Sequence, residues 1–568
     1  MLLEEVIQVA RGEVEVDLLL KNAQVVNVFS GDIHRTNVAI SHTRVVGLGQ
    51  YRAKRVIDLD GRYVAPGLID AHVHIESSMV SVPEYARTVV PHGTTTVIID
   101  PHEIANVLGL NGIRFMLESS KDNPLSVHVM IPSCVPATHL ETTGAALTAT
   151  DIAPLLREKW VVGLGEMMNY PGVLFRDPHV LAKLKVAEGK RIDGHAPGLS
   201  GRDLAAYVAA GIGSDHECTT VSEALEKLRL GMHIMIREGT AARNLRELLP
   251  LVTSKNARRC MFATDDRHPA DLIDDGHIDY MVRTAISLGL DPMTAIQMAT
   301  LNPAEYFGLR DNGGIAPGRR ADLIVFDNLQ DFNIEMVFRG GELVAKDGSM
   351  LSRRRPSSIT LRSSMNVAPL QIKDFRIKAE GKRARIIGIV PRQLITEQVI
   401  EEPRVEGGIV VPDVERDILK MAVIERHLAS GNMGLGLVKG LGLKWGAIAS
   451  SVAHDSHNII VAGVTDEDML AAVNEVVRMR GGLVAVGRGQ TLAVLPLPIA
   501  GLMSDRSTLE VNRAMKDLLG AVSEMGSALE DPFMTLSFLA LPVIPTLKLT
   551  DKGLVNVMQF KLVPLFVD

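Results

Sequence analysis

In the stretch Asp70-Ala71-His72-Val73-His74-Ile75-Glu76 two histidines stand two residues apart. Side chains alternate faces along an extended chain, so His72 and His74 project together from one face. Two neutral imidazoles on one face begin a divalent-metal site. Groups of matching chemistry recur further along, each at the end of an apolar run: Glu166 after Val161-Val162-Gly163-Leu164-Gly165, His195 after Arg191-Ile192-Asp193-Gly194, His216 after Gly213-Ser214-Asp215, and Asp265 after Met261-Phe262-Ala263-Thr264. Four imidazoles and two carboxylates can hold one or two divalent cations. Water on such a cation is more acidic than bulk water, which makes hydroxide available near neutral pH for hydrolysis. Imidazole with carboxylate suits zinc, iron(II) or manganese(II), and no thiolate biases the set toward zinc.

The elements that must carry these groups alternate. His72 and His74 follow the strand-like run Tyr63-Val64-Ala65 and the turn Pro66-Gly67. Strand-like runs then cover 71–74, 95–103, 126–133, 161–166, 191–195, 213–217, 233–238 and 261–266, and helical stretches lie between them, among them 84–92, 111–118, 177–188, 202–210 and 221–230. Eight strand–helix units of about 25 residues predict a (β/α)8 TIM-like barrel over 66–308, a fold that keeps its chemistry at the C-terminal ends of its strands. A doubly wound sheet is the alternative, but no Gly-x-Gly-x-x-Gly follows the first strand.

The flanks read differently. Short β-type runs at 14–20, 25–29, 38–41, 43–48 and 55–58 make a small sheet that needs a facing layer. Candidate partners are 322–327, 334–338 and 342–345, which predicts a discontinuous small β-sandwich domain made of 1–65 plus 309–355. Arg353-Arg354-Arg355-Pro356-Ser357-Ser358 reads as a linker. Mixed strands and helices from 365 to 568 predict an additional C-terminal α/β domain. Its Gly434-x-Gly436 looks like a phosphate loop but fits tight packing better.

Composition narrows the class. A chain of 568 residues exceeds one core. A net charge of -7 implies no basic face for nucleic acid. Cys134, Cys218 and Cys260 make no disulfide framework and fit a reducing compartment, with Cys218 in packing. The N-terminal residues lack a signal-peptide pattern. The apolar run 533–547 is broken by Pro542 and Pro545 and is too short to span a bilayer. A cytoplasmic protein without membrane or nucleic-acid partners is expected.

The ligand pattern resembles the amidohydrolase superfamily, with its His-x-His pair, bridging carboxylate, two further histidines and an aspartate. Ala299-Thr300-Leu301-Asn302-Pro303-Ala304 and the run 313–323 look like that superfamily's exit from the barrel. Many members place a carboxylated lysine on strand four, where this chain has Glu166; that argues against a dihydroorotase or hydantoinase. Glu166, the run 70–78, Asp100-Pro101-His102-Glu103-Ile104-Ala105-Asn106, Asp193-Gly194-His195-Ala196-Pro197, Ser214-Asp215-His216-Glu217 and the late Val452-Ala453-His454-Asp455-Ser456-His457-Asn458 resemble the bacterial-type adenine deaminases over nearly the whole chain.

That resemblance implies hydrolytic deamination of adenine to hypoxanthine and ammonia, by attack of a metal-bound hydroxide on the ring carbon bearing the amine. A cyclic amide or N-acyl hydrolase on the same scaffold is the alternative, and a metal-free scaffold protein is the non-enzymatic one. Manganese or iron is implied, with a binuclear centre on His72, His74, Glu166, His195, His216 and Asp265, and zinc as a third option. The implied partner is a small purine, and a homo-oligomer, a dimer, is expected. Asp265 is assigned proton transfer and His216 charge stabilisation. Glu217 and Glu76, with Glu103, are candidates for protonating the ring nitrogen. His102, Glu103, Arg237 and Glu238 are assigned to substrate binding, although a surface ion pair explains the last two equally well. His454, Asp455 and His457 fit a contact over the active site, a second metal site or a local turn network.

Overall fold

The computed structural model describes residues 3–351, 361, 364–391 and 393–567. The basic linker expected at 353–358 lies outside the described residues. Eight parallel core strands carry the chain's centre: β1 (Leu68–Val73), β2 (Thr94–Ile99), β3 (Ser126–Ile131), β4 (Val161–Met167), β5 (Arg191–Gly194), β6 (Ser214–Asp215), β7 (His233–Arg237) and β8 (Cys260–Ala263). Every residue of β1 and β2 is buried. Thr94-Thr95-Thr96-Val97-Ile98-Ile99 is wholly β-branched, the composition of a strand covered on both faces.

Hydrogen bonding orders the first five strands β5-β4-β3-β2-β1 in one sheet and β6-β7-β8 in a second. Backbone bonds join the sheets at both seams. Gly213 N–H donates to Ile192 O at 2.9 Å beside β5, and Asp265 N–H donates to His72 O at 2.9 Å beyond β8. His74 N–H returns a bond to Asp265 O at 3.1 Å. The result is a TIM-barrel-like α/β core. Its helices include Val82–Val89, Leu110–Ser119, Pro178–Val186, Gly201–Ala209, Val221–Arg229 and Ile278–Ser287.

The flanking strands combine from both ends of the chain, as expected, but they do so edge to edge. Leu323–Phe326 pairs antiparallel with Tyr63–Pro66, which also runs parallel to the second half of Val16–Asn27. A register shift between Leu20 and Ala23 lets the first half of that strand pair with Ala53–Asp58 instead. One nine-stranded sheet results. It closes on its own apolar core, which draws Leu18, Val25, Ile40 and Val64 from one segment and Leu323, Val325 and Phe338 from the other. The strands expected as two facing layers belong to one hydrogen-bonded sheet around a shared apolar core.

Beyond residue 364 the main element is an eight-stranded sheet, largely antiparallel, with the helices Asp466–Arg478 and Thr508–Glu524. Gly434 sits inside its strand Met433–Lys439, where a Cβ would meet Thr550 O at 1.9 Å. The glycines there permit close packing and form no phosphate loop. This part is pinned to the core: Ser504 N–H donates to Met79 O at 2.7 Å, Thr142 N–H to Asp551 Oδ1 at 2.8 Å, and Asn458 Nδ2–H to Thr142 O at 2.8 Å. Among the described residues no helix is long and apolar enough to cross a membrane.

Candidate metal centre and active site

The six expected ligands converge at the C-terminal ends of the core strands. The Nε2 atoms of His72 and His74 lie 3.1 Å apart. Glu166 lies between two groups of imidazoles. Its Oε1 is 3.3 Å from His74 Nε2 and 3.8 Å from His72 Nε2, while its Oε2 is 2.6 Å from His195 Nδ1 and 3.3 Å from His216 Nε2. Asp265 Oδ1 closes the first group, 3.1 Å from His74 Nε2 and 3.6 Å from His72 Nε2. All six are buried except His195, which is partly exposed. Burial raises the Glu166 carboxyl, but the imidazoles of His195, His216 and His74 hold it well below the usual range. Burial likewise opposes ionisation of Asp265, and Arg237, His72 and His74 outweigh it.

Local structure aims these groups. His74 Nδ1–H donates to Asp100 O at 2.8 Å, which leaves its Nε2 lone pair facing Glu166 and Asp265. Two ring nitrogens facing each other at such range repel unless a cation or a proton lies between them. Asp100 Oδ2 accepts from Glu166 N–H at 2.9 Å, and a Cβ on Gly165 would meet that oxygen at 2.1 Å, so glycine before Glu166 makes room for it. Asp70 Oδ1 accepts from both His72 N–H at 3.2 Å and Thr264 N–H at 3.1 Å, tying the first strand to the last. His277 Nε2 lies 3.1 Å from the other oxygen of Asp70. Asp265 itself has a left-handed backbone, φ 59°, and turns its carboxylate into the site. Asp70, Asp100 and His277 are supporting residues that the ligand pattern alone does not reveal. For Asp70 the available signal was an acidic residue two places before a strand-end ligand, and Asp100 and His277 act on residues far from them in sequence.

The donor set fits divalent cations. It offers imidazole and carboxylate atoms in two groups that share Glu166.

The other expected site residues divide. Glu217 lines the pocket, but both its oxygens are held by Arg237, Oε2 at 3.1 Å from Nη2. Arg237 also donates to Asp265 Oδ2 at 2.7 Å. It therefore braces two carboxylates where the sequence reading had it bind substrate. His102 lies in the pocket with Nδ1 3.4 Å from Glu166 Oε1. Glu103 is there too, with His454 Nδ1 2.7 Å from its Oε1 and His457 Nε2 bonded to its Oε2.

Two expectations need correction. Glu238 turns away from the pocket, and its Oε2 accepts from Leu245 N–H at 3.0 Å, because it alternates faces with Arg237 at the strand end. Glu76 lies in a short helical turn after β1, which carries it behind His454 into a separate cavity of about 20 Å3. Burial raises its carboxyl to about 7. The pocket itself, about 50 Å3, is bounded on its outer side by Leu394, His454, Asp455, Phe538, Leu541 and Ile544. It shares Ala241, Leu394 and Phe538 with an outer cavity of about 390 Å3.

Comparison with known proteins agrees with this arrangement. The model of the amidohydrolase family matches residues 63–344, the segment that carries every ligand, and places the core in that class of metal-dependent hydrolases. The model of the adenine deaminase C-terminal domain matches residues 393–561. An adenine deaminase of Desulfatibacillum aliphaticivorans is 57% identical over 566 residues, 99% of this chain and 99% of its own. One of Methanothrix thermoacetophila is 55% identical over 571 residues, 100% of each chain. Adenine deaminase 2 of Carboxydothermus hydrogenoformans is 53% identical over 564 residues, 99% of each. A solved structure of an adenine deaminase aligns with 58% of this chain and 100% of its own, at 19% identity and a TM-score of 0.45. The chain belongs to the adenine deaminase family.

Proposed function

We propose that this protein hydrolyses adenine to hypoxanthine and ammonia at a binuclear manganese or iron centre. His72 and His74 with Asp265 would hold one cation, His195 and His216 the other, and Glu166 would bridge them. The observation that carries this reading is the placement of Glu166, one oxygen toward each group of imidazoles. When bound, the cations supply hydroxide at neutral pH by lowering the pKa of water.

The chain's own residues do the rest. Asp265 takes a proton from the attacking water and delivers it to the departing amine. Its Oδ2 is fixed by Arg237, which keeps Oδ1 toward the reacting centre. His216, buried against Glu166, is placed to stabilise charge as the attacked carbon becomes tetrahedral. Glu217 is locked by Arg237 at the pocket wall and acts on electrostatics and shape. Water and adenine supply every atom of hypoxanthine and ammonia.

The same reading divides the chain into 1–65 plus 309–355, 66–308 and 365–568, and makes it a cytoplasmic homodimer. Three free, buried cysteines accord with a reducing compartment. Incubation of manganese-, iron- and zinc-loaded protein with adenine, followed by ammonia release, tests the activity. Turnover in at least one form is expected, and none in all three overturns it.

A further inference from the structure

Deamination needs a surface that reads the purine ring, and the acids of the core do not provide it. Both oxygens of Glu217 are engaged by Arg237, and both oxygens of Glu103 by histidines. Glu76 and Glu238 lie outside the pocket. His102 stands between Glu166 Oε1 at 3.4 Å and Glu103 Oε1 at 3.3 Å, and Asp266 Oδ1 accepts from Ser77, so the wall contributed by the C-terminal part of the chain is the surface to consider next.

In that wall His454 lies face to face with Phe538, ring centroids 4.5 Å apart and planes at 13°. Its Nδ1 is held by Glu103 Oε1 at 2.7 Å. The other oxygen of Glu103 is bonded to His457 Nε2. The state of His457 follows from its second nitrogen, because Nδ1 accepts from Ala453 N–H at 3.2 Å. A neutral His457 therefore carries its proton on Nε2 and donates it to Glu103. A cation would need that lone pair, so Glu103, His454 and His457 form a hydrogen-bonded brace and no third metal site.

The brace fixes the His454 imidazole and leaves Nε2 as its uncommitted polar atom. The ring borders two spaces, the pocket and the cavity of about 20 Å3 behind it. The latter holds a single water at most. The apolar side of the wall is anchored as well. Buried Lys548 donates to Leu394 O and Phe538 O, each at 2.9 Å, and so ties together the two segments that carry those side chains.

We infer that His454 Nε2 hydrogen-bonds a ring nitrogen of the bound purine while Phe538, Leu541 and Ile544 cover the ring. His454 is then a substrate-contacting residue, and Glu103 and His457 are positioning residues. This inference rests on a purine being the ligand of the pocket, as proposed above.

Calorimetry on the full-length, metal-loaded protein tests it, with hypoxanthine and its 1-, 3-, 7- and 9-deaza analogues, each lacking one ring nitrogen. The wild type binds one analogue about tenfold or more weakly than hypoxanthine, the usual effect of one lost polar contact. In His454→Ala hypoxanthine weakens by a similar factor and the gap to that analogue closes, with metal content unchanged. His454→Phe keeps the stack on Phe538 without the nitrogen and gives the same result should the smaller side chain disturb the fold. No gap in the wild type, no purine binding, a gap that persists in the variants or loss of metal in His454→Phe each overturns the inference. Adenine turnover by the wild type is scored separately. Its absence alongside an intact hypoxanthine gap sinks the activity and leaves the His454 contact standing. Turnover with a gap that survives in the variants sinks only the contact.

Discussion

The Glu166 carboxylate meets two groups of imidazoles with its two oxygens, and Asp100 holds its backbone N–H. Glu166→Gln replaces one charged oxygen with a donor that faces imidazole nitrogens. It is expected to lower metal affinity at least about a hundredfold and kcat/KM by about a thousandfold, checked by metal analysis and steady-state kinetics. Arg237 makes a different prediction, because it holds the carboxylates of Glu217 and Asp265. Arg237→Met leaves Asp265 and Glu217 buried without their cation and should lower stability by about 3–5 kcal/mol. It should also cut kcat about a hundredfold with little change in KM, since the misplaced Asp265 transfers protons poorly. A loss confined to KM would return Arg237 to substrate binding. Strand-end position made His72, His74, Glu166, His195, His216 and Asp265 legible in the sequence. Glu76 escapes such a reading because the sequence does not show where a strand ends and alternation gives way to a turn, and Glu238 because alternation carried one residue past Arg237 sends it to the opposite face.

Among the elements, the core strands were legible because burial on both faces leaves continuous apolar runs such as Cys260–Ala263 and β-branched ones such as Thr94–Ile99. The flanking sheet was legible in membership but not in form, since pairing edge to edge and packing face to face need the same alternation. The strand Leu547–Thr550 shows another limit, because Lys548 is wholly buried there in a position that reads as solvent-facing. Burial lowers its amine to about 7. Below pH 7 the amine is charged in both states and its burial opposes folding in full. Between pH 7 and about 10.5 the unfolded chain binds a proton that the folded chain does not, so stability rises with pH. Relative to Lys548→Met, the wild type should gain about 3 kcal/mol between pH 7 and 9.5 in denaturant unfolding. A difference that does not move with pH would mean the amine stays protonated, held by the two carbonyls it meets.

For the whole molecule, the metal-facing groups come from the core and the outer wall of the pocket from residues beyond 390. The contact reaches across more than 300 positions of sequence, from Glu103 to His454 and His457. No local pattern encodes such a pairing. On a regular strand those two histidines would face apart, and they reach one carboxylate only because the chain turns between Ala447–Ser450 and Ile459–Gly463. The measurement that bears most directly on the account is a titration of metal-free protein with manganese, with hypoxanthine and ammonia followed from adenine. Activity should rise to a plateau at two equivalents of metal, with the two products in equal amounts. A plateau at one equivalent would contradict the bridging role of Glu166, and metal uptake without either product would contradict the proposed reaction.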